Sequence, residues 1–274
     1  MAKYTNLLLI NREFKNTFGR VSNNMNELEN VYDGDFSVFS TRSLNGFNQE
    51  FIKHTQSKFE EFKEIFGVEK LSKLTFVLFD DLEEYRKYRR EKYGAEPPVY
   101  SRGCFFKDTA VLVIEKVPEK GTKEFYLKRA SGAHEAFHVY YRDLVYKESK
   151  ERVVWFDEGM AQYFSGEREY LDQRQFRDYY SKFKQNYTPI NNLNDRIQGN
   201  STVSNEEIFQ RKGVIDGYTI SYLAVRYLAE TKGIDFVKGI MKDRGKILEL
   251  GKTISKEMLE YYNSKLLEIE LDER

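Results

Sequence analysis

The chain has 274 residues, and its 44 Lys plus Arg are balanced by 44 Asp plus Glu. That balance gives no electrostatic reason to expect nucleic acid or an anionic membrane as a partner. The length is enough for one large domain or two small ones with a real core, and a single cysteine, Cys104, excludes an intramolecular disulfide.

The longest aliphatic runs, at 7–10 and 111–114, are far too short to span a bilayer. Met1-Ala2-Lys3 opens no signal-peptide core, so the sequence as it stands points to the cytoplasm, or to secretion if a signal was removed. The 20 Tyr and 21 Phe are expected to fill the core rather than to line a cleft.

Residues 1–45 show no chemistry. A strand is expected at 7–10 and a turn at 32–36, after which Phe36, Val38 and Ser40 alternate with their neighbours as in a half-buried strand. From 48 to 66, Phe51, Phe59, Phe62, Ile65 and Phe66 recur at helical spacing, and Gly67 suits the helix end. His54 lies near that stripe and reads as a packed side chain. Residues 74–79, Leu-Thr-Phe-Val-Leu-Phe, form a buried strand by their β-branched and aromatic content. A charged helix over 82–93 ends at Gly94, and Pro97-Pro98 breaks the chain. Residues 102–106 and 110–115 read as a hairpin turning at Lys107-Asp108-Thr109.

The next helix, over 125–145, contains His134-Glu135-Ala136-Phe137-His138. Residues four apart share one helix face, so both imidazoles can grip one zinc ion. Glu135, about 100° around the helix, can reach a water on that metal without becoming a ligand. A catalytic zinc needs a third protein ligand. A metzincin extension would require Gly at 141 and His at 144, where the chain has Tyr141 and Leu144. The inverted His-x-x-Glu-His order is absent as well. A Glu from a following helix remains, and Glu158 supplies it twenty residues after His138. Trp155 and Phe156 would bury the start of that helix, while Gly159 and Ala161 permit close helix approach. Asp143 and Asp157 are the candidates for holding the free N–H of a zinc-bound histidine.

The helix carrying Glu158 is expected to run to Gly166, and a charged, Tyr-rich helix follows over 167–185. Residues 188–205 read as a long polar loop. A helix over 216–231 opens with Tyr218-Thr219-Ile220-Ser221, and two more follow at 235–241 and 255–268, the last capped by Ser255.

The motif at 134–138, followed by Trp155-Phe156-Asp157-Glu158-Gly159-Met160-Ala161, resembles the gluzincin metallopeptidases, and most closely their thermolysin-like or peptidase MA-like catalytic domains. Aminopeptidase-type members read Trp-Leu-Asn-Glu-Gly-Phe-Ala there, so Phe156, Asp157 and Met160 are the departures. The resemblance implies zinc held by His134, His138 and Glu158, with Glu135 as general base. It implies that Gly103, Cys104, Phe105 and Phe106 lie on the sheet edge where a peptide substrate adds as a strand. Phe106 stands where aminopeptidases carry the Glu that holds the substrate amine, which argues against that activity. Cys104 itself reads as a small hydrophobe. Tyr218 and Ser221 match a Tyr-x-x-Ser pattern whose phenol faces the zinc and can donate to an oxyanion.

The expected architecture is α+β. It comprises an N-terminal segment (1–45), a zincin-like mixed sheet with the active helix (46–145), and an all-helical subdomain carrying the third ligand (146–274). The expected function is peptide-bond hydrolysis with one zinc per chain and a peptide or protein substrate. A zinc-containing binding or regulatory module with little hydrolytic activity is the alternative, and the intact Glu135 counts against it.

Overall fold

β-branched and aromatic runs build one mixed sheet in an α+β chain. The computed structural model describes residues 28–94, 103–146, 152–185, 193–194 and 217–272. The strands are β1 (Glu29–Asp33), β2 (Ser37–Ser40), β3 (Thr75–Phe79), β4 (Gly103–Phe106) and β5 (Thr109–Val113). Their order is β1-β2-β3-β5-β4, with β2, β3 and β5 parallel and the two outer strands antiparallel to their neighbours. The expected strand at 7–10, Pro97-Pro98 and most of the expected loop at 188–205 lie outside the described residues.

Interior position explains one departure from the sequence reading. Alternation over 36–40 suggested a strand with one wet face, yet all four residues of β2 are buried. β2 lies between two other strands, so its hydroxyls need protein partners. Ser37 Oγ donates to Asp33 Oδ1 at 2.7 Å, and Ser40 Oγ donates to Asn48 Oδ1 at 3.0 Å.

The chain divides into two compact units. One comprises Met1–Gln49 with Leu74–Val117, and the other Glu50–Lys73 with Pro118–Arg274. The first unit holds the sheet and α2 (Leu82–Tyr93). Asp81 caps α2 by accepting from Glu84 N at 2.8 Å, and Gly94 ends it at φ 64°. Tyr85 and Tyr88, fully buried on α2, pack with Val77, Phe79, Val111 and Val113.

Helix α1 (Asn45–Phe66) begins in the first unit and continues into the second. There it meets α3 (Lys123–Tyr141), followed by a π-turn (Arg142–Tyr146), α4 (Val154–Ser165), α5 (Gln173–Gln185), α6 (Gly217–Lys232), α7 (Ile234–Ile240) and α8 (Arg244–Asp272). Aromatic rings join α1 to α3: Phe62 and Phe66 lie 5.5 and 5.4 Å from Phe137, and Phe59 lies 5.5 Å from Tyr140. Phe137 in turn stacks on Phe164 of α4 at 5.8 Å. These contacts tie the histidine-bearing helix to the helical unit. The abundant aromatics fill core here, as their number led us to expect.

Two glycines set the spacing around α3 and α4. A Cβ on Gly132 would lie 2.3 Å from the Phe51 ring, and one on Gly159 would lie 2.3 Å from the Ser221 carbonyl oxygen. Close approach of α4 to α6 therefore depends on the absence of a side chain at 159. At the C-terminal end, a single helix starting at Arg244 replaces the expected start at Ser255. The chain continues through Gly251, where a Cβ would fall 2.6 Å from Asn194 Nδ2, and Ser255 is buried within the helix. No helix among the described residues is long and apolar enough to cross a membrane.

Candidate metal centre

The second unit supplies the whole cluster. Thr122 starts α3, its Oγ1 accepting from Phe125 N at 3.2 Å, and three turns later the helix presents His134 and His138 on one face. α4 starts at Val154 with Trp155, Phe156 and Asp157 fully buried, which fixes Glu158 just after its first turn. Trp155 Nε1 donates to Asn194 Oδ1 at 3.1 Å, and Asn194 donates to the Leu248 carbonyl, securing that turn to α8.

Three donors converge. Nε2 of His134 and Nε2 of His138 are 3.0 Å apart, and Glu158 Oε2 lies 3.6 and 3.4 Å from them. Zinc bonds of about 2.0–2.2 Å in tetrahedral array place donors roughly 3.3–3.5 Å apart. The three separations bracket that range. The same three residues form the metal-capable group found among the described residues.

Hydrogen bonding orients the lone pairs. His138 Nδ1 donates to Asp157 Oδ1 at 2.8 Å, so that in the neutral ring the proton sits on Nδ1 and Nε2 carries the lone pair. His134 Nδ1 lies 3.0 Å from Glu167 Oε1, an ion-pair distance, although its N–H is not aimed at the oxygen well enough for a hydrogen bond. Each imidazole thus has a carboxylate behind it, the arrangement that orients metal-bound histidines. With both rings neutral at Nε2, two lone pairs and a carboxylate oxygen face one point, where a bound cation relieves their mutual repulsion. Glu158 Oε2 is buried and accepts no hydrogen bond, so it has a place for that cation. The donor set fits zinc.

The titrations carry the same field. Burial opposes charge on His134, but Glu167 and Glu158 outweigh it and hold its pKa well above the ordinary value. Burial opposes charge on His138 too, and Asp157 with Glu158 raises it to about 9. Glu158 and Glu167 are held below the usual carboxylate range against burial, Glu158 by both imidazoles and Glu167 by His134. Glu135 moves the other way. Burial raises it against the pull of both imidazoles, which makes its carboxylate a stronger base.

A cavity of about 320 Å³ opens beside His134, lined also by Glu135, Glu167, Arg168 and Tyr218. Tyr218 is 43% exposed at the start of α6, and its carbonyl accepts from Gln162 Nε2 at 2.8 Å. A larger hollow of about 560 Å³ lies along Tyr126, Tyr170, Tyr179 and Asp172. Its lining holds no histidine.

The other residues singled out from sequence fall as follows. Asp157 stands behind His138, whereas Asp143 is exposed and takes Arg142 Nε at 2.7 Å instead of an imidazole. The α-helix has already given way to the π-turn at Arg142. Gly103, Cys104, Phe105 and Phe106 form β4, an outer strand of the sheet in the first unit. Cys104 packs at the margin of the Tyr85–Tyr88 cluster, and Phe106 is exposed with its ring 4.5 Å from Tyr93. His54 is buried, its Nε2 donating to the Ser165 carbonyl at 2.6 Å.

Sequence reasoning missed two charged residues. Arg152 gives Nε to Asp157 Oδ2 and Nη2 to Glu158 Oε1, the latter at 2.7 Å. A cation just before a helix start opposes the helix dipole, so Arg152 ahead of Asp157-Glu158 was a readable sign of pairing. Glu167 follows Gly166, whose φ of 76° ends α4. No local pattern assigns it to His134. No protein-family model matches the chain, and no curated protein matches it.

Proposed function

We propose that the chain is a zinc-dependent metallopeptidase of the gluzincin type, with a zincin-like catalytic domain acting on peptide or protein substrates. The carrying observation is the convergence of His134 Nε2, His138 Nε2 and Glu158 Oε2 within 3.0–3.6 Å, beside an open cavity that Glu135 lines.

Zinc bound there supplies a Lewis acid that makes water a competent nucleophile near neutral pH. Glu135 accepts the proton of the attacking water and passes it to the leaving amine, a task suited to a carboxylate whose basicity burial has raised. Asp157 and Glu167 hold the imidazoles, and the Tyr218 phenol donates a hydrogen bond to the developing oxyanion. The cavity admits a peptide carbonyl while α3, α4 and α6 keep the ligands fixed.

Metal analysis of protein purified without added zinc tests this reading. One zinc per chain is expected in the wild type, with its loss in His134→Ala, His138→Ala and Glu158→Ala. Unchanged zinc in Glu158→Ala would remove the gluzincin assignment. Tightly held zinc with no cleavage across a broad peptide library would favour a binding or regulatory module instead.

A further inference from the structure

Glu158 has two carboxylate oxygens, and only one faces the imidazoles. Oε2 is the buried, unbonded oxygen of the converging trio, while Oε1 is committed to Arg152 Nη2 at 2.7 Å. The same guanidinium binds Asp157 Oδ2, and Asp157 gives its other oxygen to His138 Nδ1. One cation thus touches the third donor directly and the second through Asp157. We infer that Arg152 is a positioning residue that holds Glu158 to one-oxygen ligation and so keeps the fourth coordination place open.

The inference rests on the zinc reading above and adds to it a reason why the site stays open. A carboxylate can bind a metal through one oxygen or through both. With two histidines already present, a second oxygen would take the place that water and substrate need. Keeping it away requires a donor that outcompetes the metal for Oε1. A charged, planar guanidinium does so well, because its N–H groups form short charge-assisted bonds in fixed directions.

Its approach is fixed too. Val153 is buried and extended at φ −102° and ψ 98°, and its carbonyl accepts from Asp157 N at 3.0 Å. Arg152 therefore enters from one direction and folds back over the first turn of α4. Asp157 lies in that turn, where the helix dipole favours its negative charge, and Glu158 follows it directly. A lysine would bring the charge without the fork, and could not hold Asp157 and Glu158 together.

The test uses full-length protein loaded with cobalt, whose visible absorption weakens as coordination rises above four, and acetohydroxamate as a probe of the open place. Arg152→Gln is expected to keep one cobalt per chain, lose absorption intensity and bind acetohydroxamate at least about 10-fold more weakly. In the zinc form, kcat should fall about 10- to 100-fold, the range typical for residues behind metal ligands, with KM little changed. Arg152→Lys should resemble Arg152→Gln. The double variant Arg152→Gln/Asp157→Asn removes the unpaired buried charge and should show the same cobalt spectrum if Arg152→Gln alone fails to fold. A wild-type spectrum and acetohydroxamate affinity in the folded variant would overturn the inference, as would complete loss of metal. Failure of the wild type itself to bind cobalt or zinc would instead overturn the zinc reading beneath it.

Discussion

The two units fill their interiors in opposite ways. In the sheet unit, the buried polar side chains among the described residues are neutral: Ser37, Ser40, Thr41 and Asn48. In the helical unit they include Asp157, Lys58, His54 and His134, with Glu158 and Glu167 only 14% exposed beside them. Each buried ion costs several kcal/mol unless it is paired and hydrogen-bonded. A chain that builds one neutral interior has no stability reason to gather carboxylates around two imidazoles in the other. Among the charges of the helical unit, His134, Asp157, Glu158 and Glu167 are the groups that the proposed metal site would use, and apolar packing around them holds them in place.

If that division is right, stability and metal binding should separate by unit. Phe79→Ala empties part of the sheet core and should lower unfolding stability by about 3–5 kcal/mol, while zinc per folded chain stays at one. A coupled loss of zinc in that variant would erase the distinction. Asp157→Asn should do the converse. It keeps an acceptor for His138 but gives up the charge that meets Arg152, and zinc affinity should fall about 10- to 100-fold on titration against a competing chelator.

Gly159→Ala probes the packing that holds the charges. Its Cβ would meet the Ser221 carbonyl at 2.3 Å, so α4 and α6 must part, at a cost of roughly 1–3 kcal/mol. Thermal unfolding should show that loss together with weaker zinc binding, since Glu158 precedes residue 159. Unaltered affinity would place Glu158 beyond the influence of that helix contact.

The smallest effect concerns His54. Burial lowers its pKa, against the hydrogen bond to the Ser165 carbonyl, with Arg129, Glu169 and Lys58 also facing it. The unfolded chain takes up a proton below about pH 6.5 that the folded chain resists, so this contribution is present above that pH and is lost as pH falls. Comparing wild type with His54→Gln in denaturant titrations between pH 8 and 5 should show a shallower decline in the variant. Equal slopes would remove His54 as a source of acid sensitivity.

Much of the site was legible because it is local. His134, Glu135 and His138 share one helical turn, and Glu158 follows on the next helix of the described chain, so spacing sufficed. The helix over 82–93 was equally clear, since its cap, charged face and terminal glycine agree. What escaped depends on the chain returning to itself. Glu167 reaches His134 only because Gly166 reverses the backbone after α4. The packing of Phe59, Phe62 and Phe66 on α3 is likewise a partnership that helical spacing does not specify. The long final helix was obscured by Ser255, which reads as a cap but is buried within the helix, while Gly251 leaves room for Asn194.

The central claim, that the buried charges perform hydrolysis, is tested most directly by Glu135→Gln. The amide keeps the shape of the carboxylate and cannot accept the water's proton. Zinc-loaded wild type and Glu135→Gln, each verified to hold one zinc per chain, would be compared on the same responsive peptide. The predicted result is equal zinc content with turnover lowered about 10²- to 10⁴-fold in the variant. Turnover at the wild-type rate in zinc-loaded Glu135→Gln would contradict the mechanism, however tightly the metal is held.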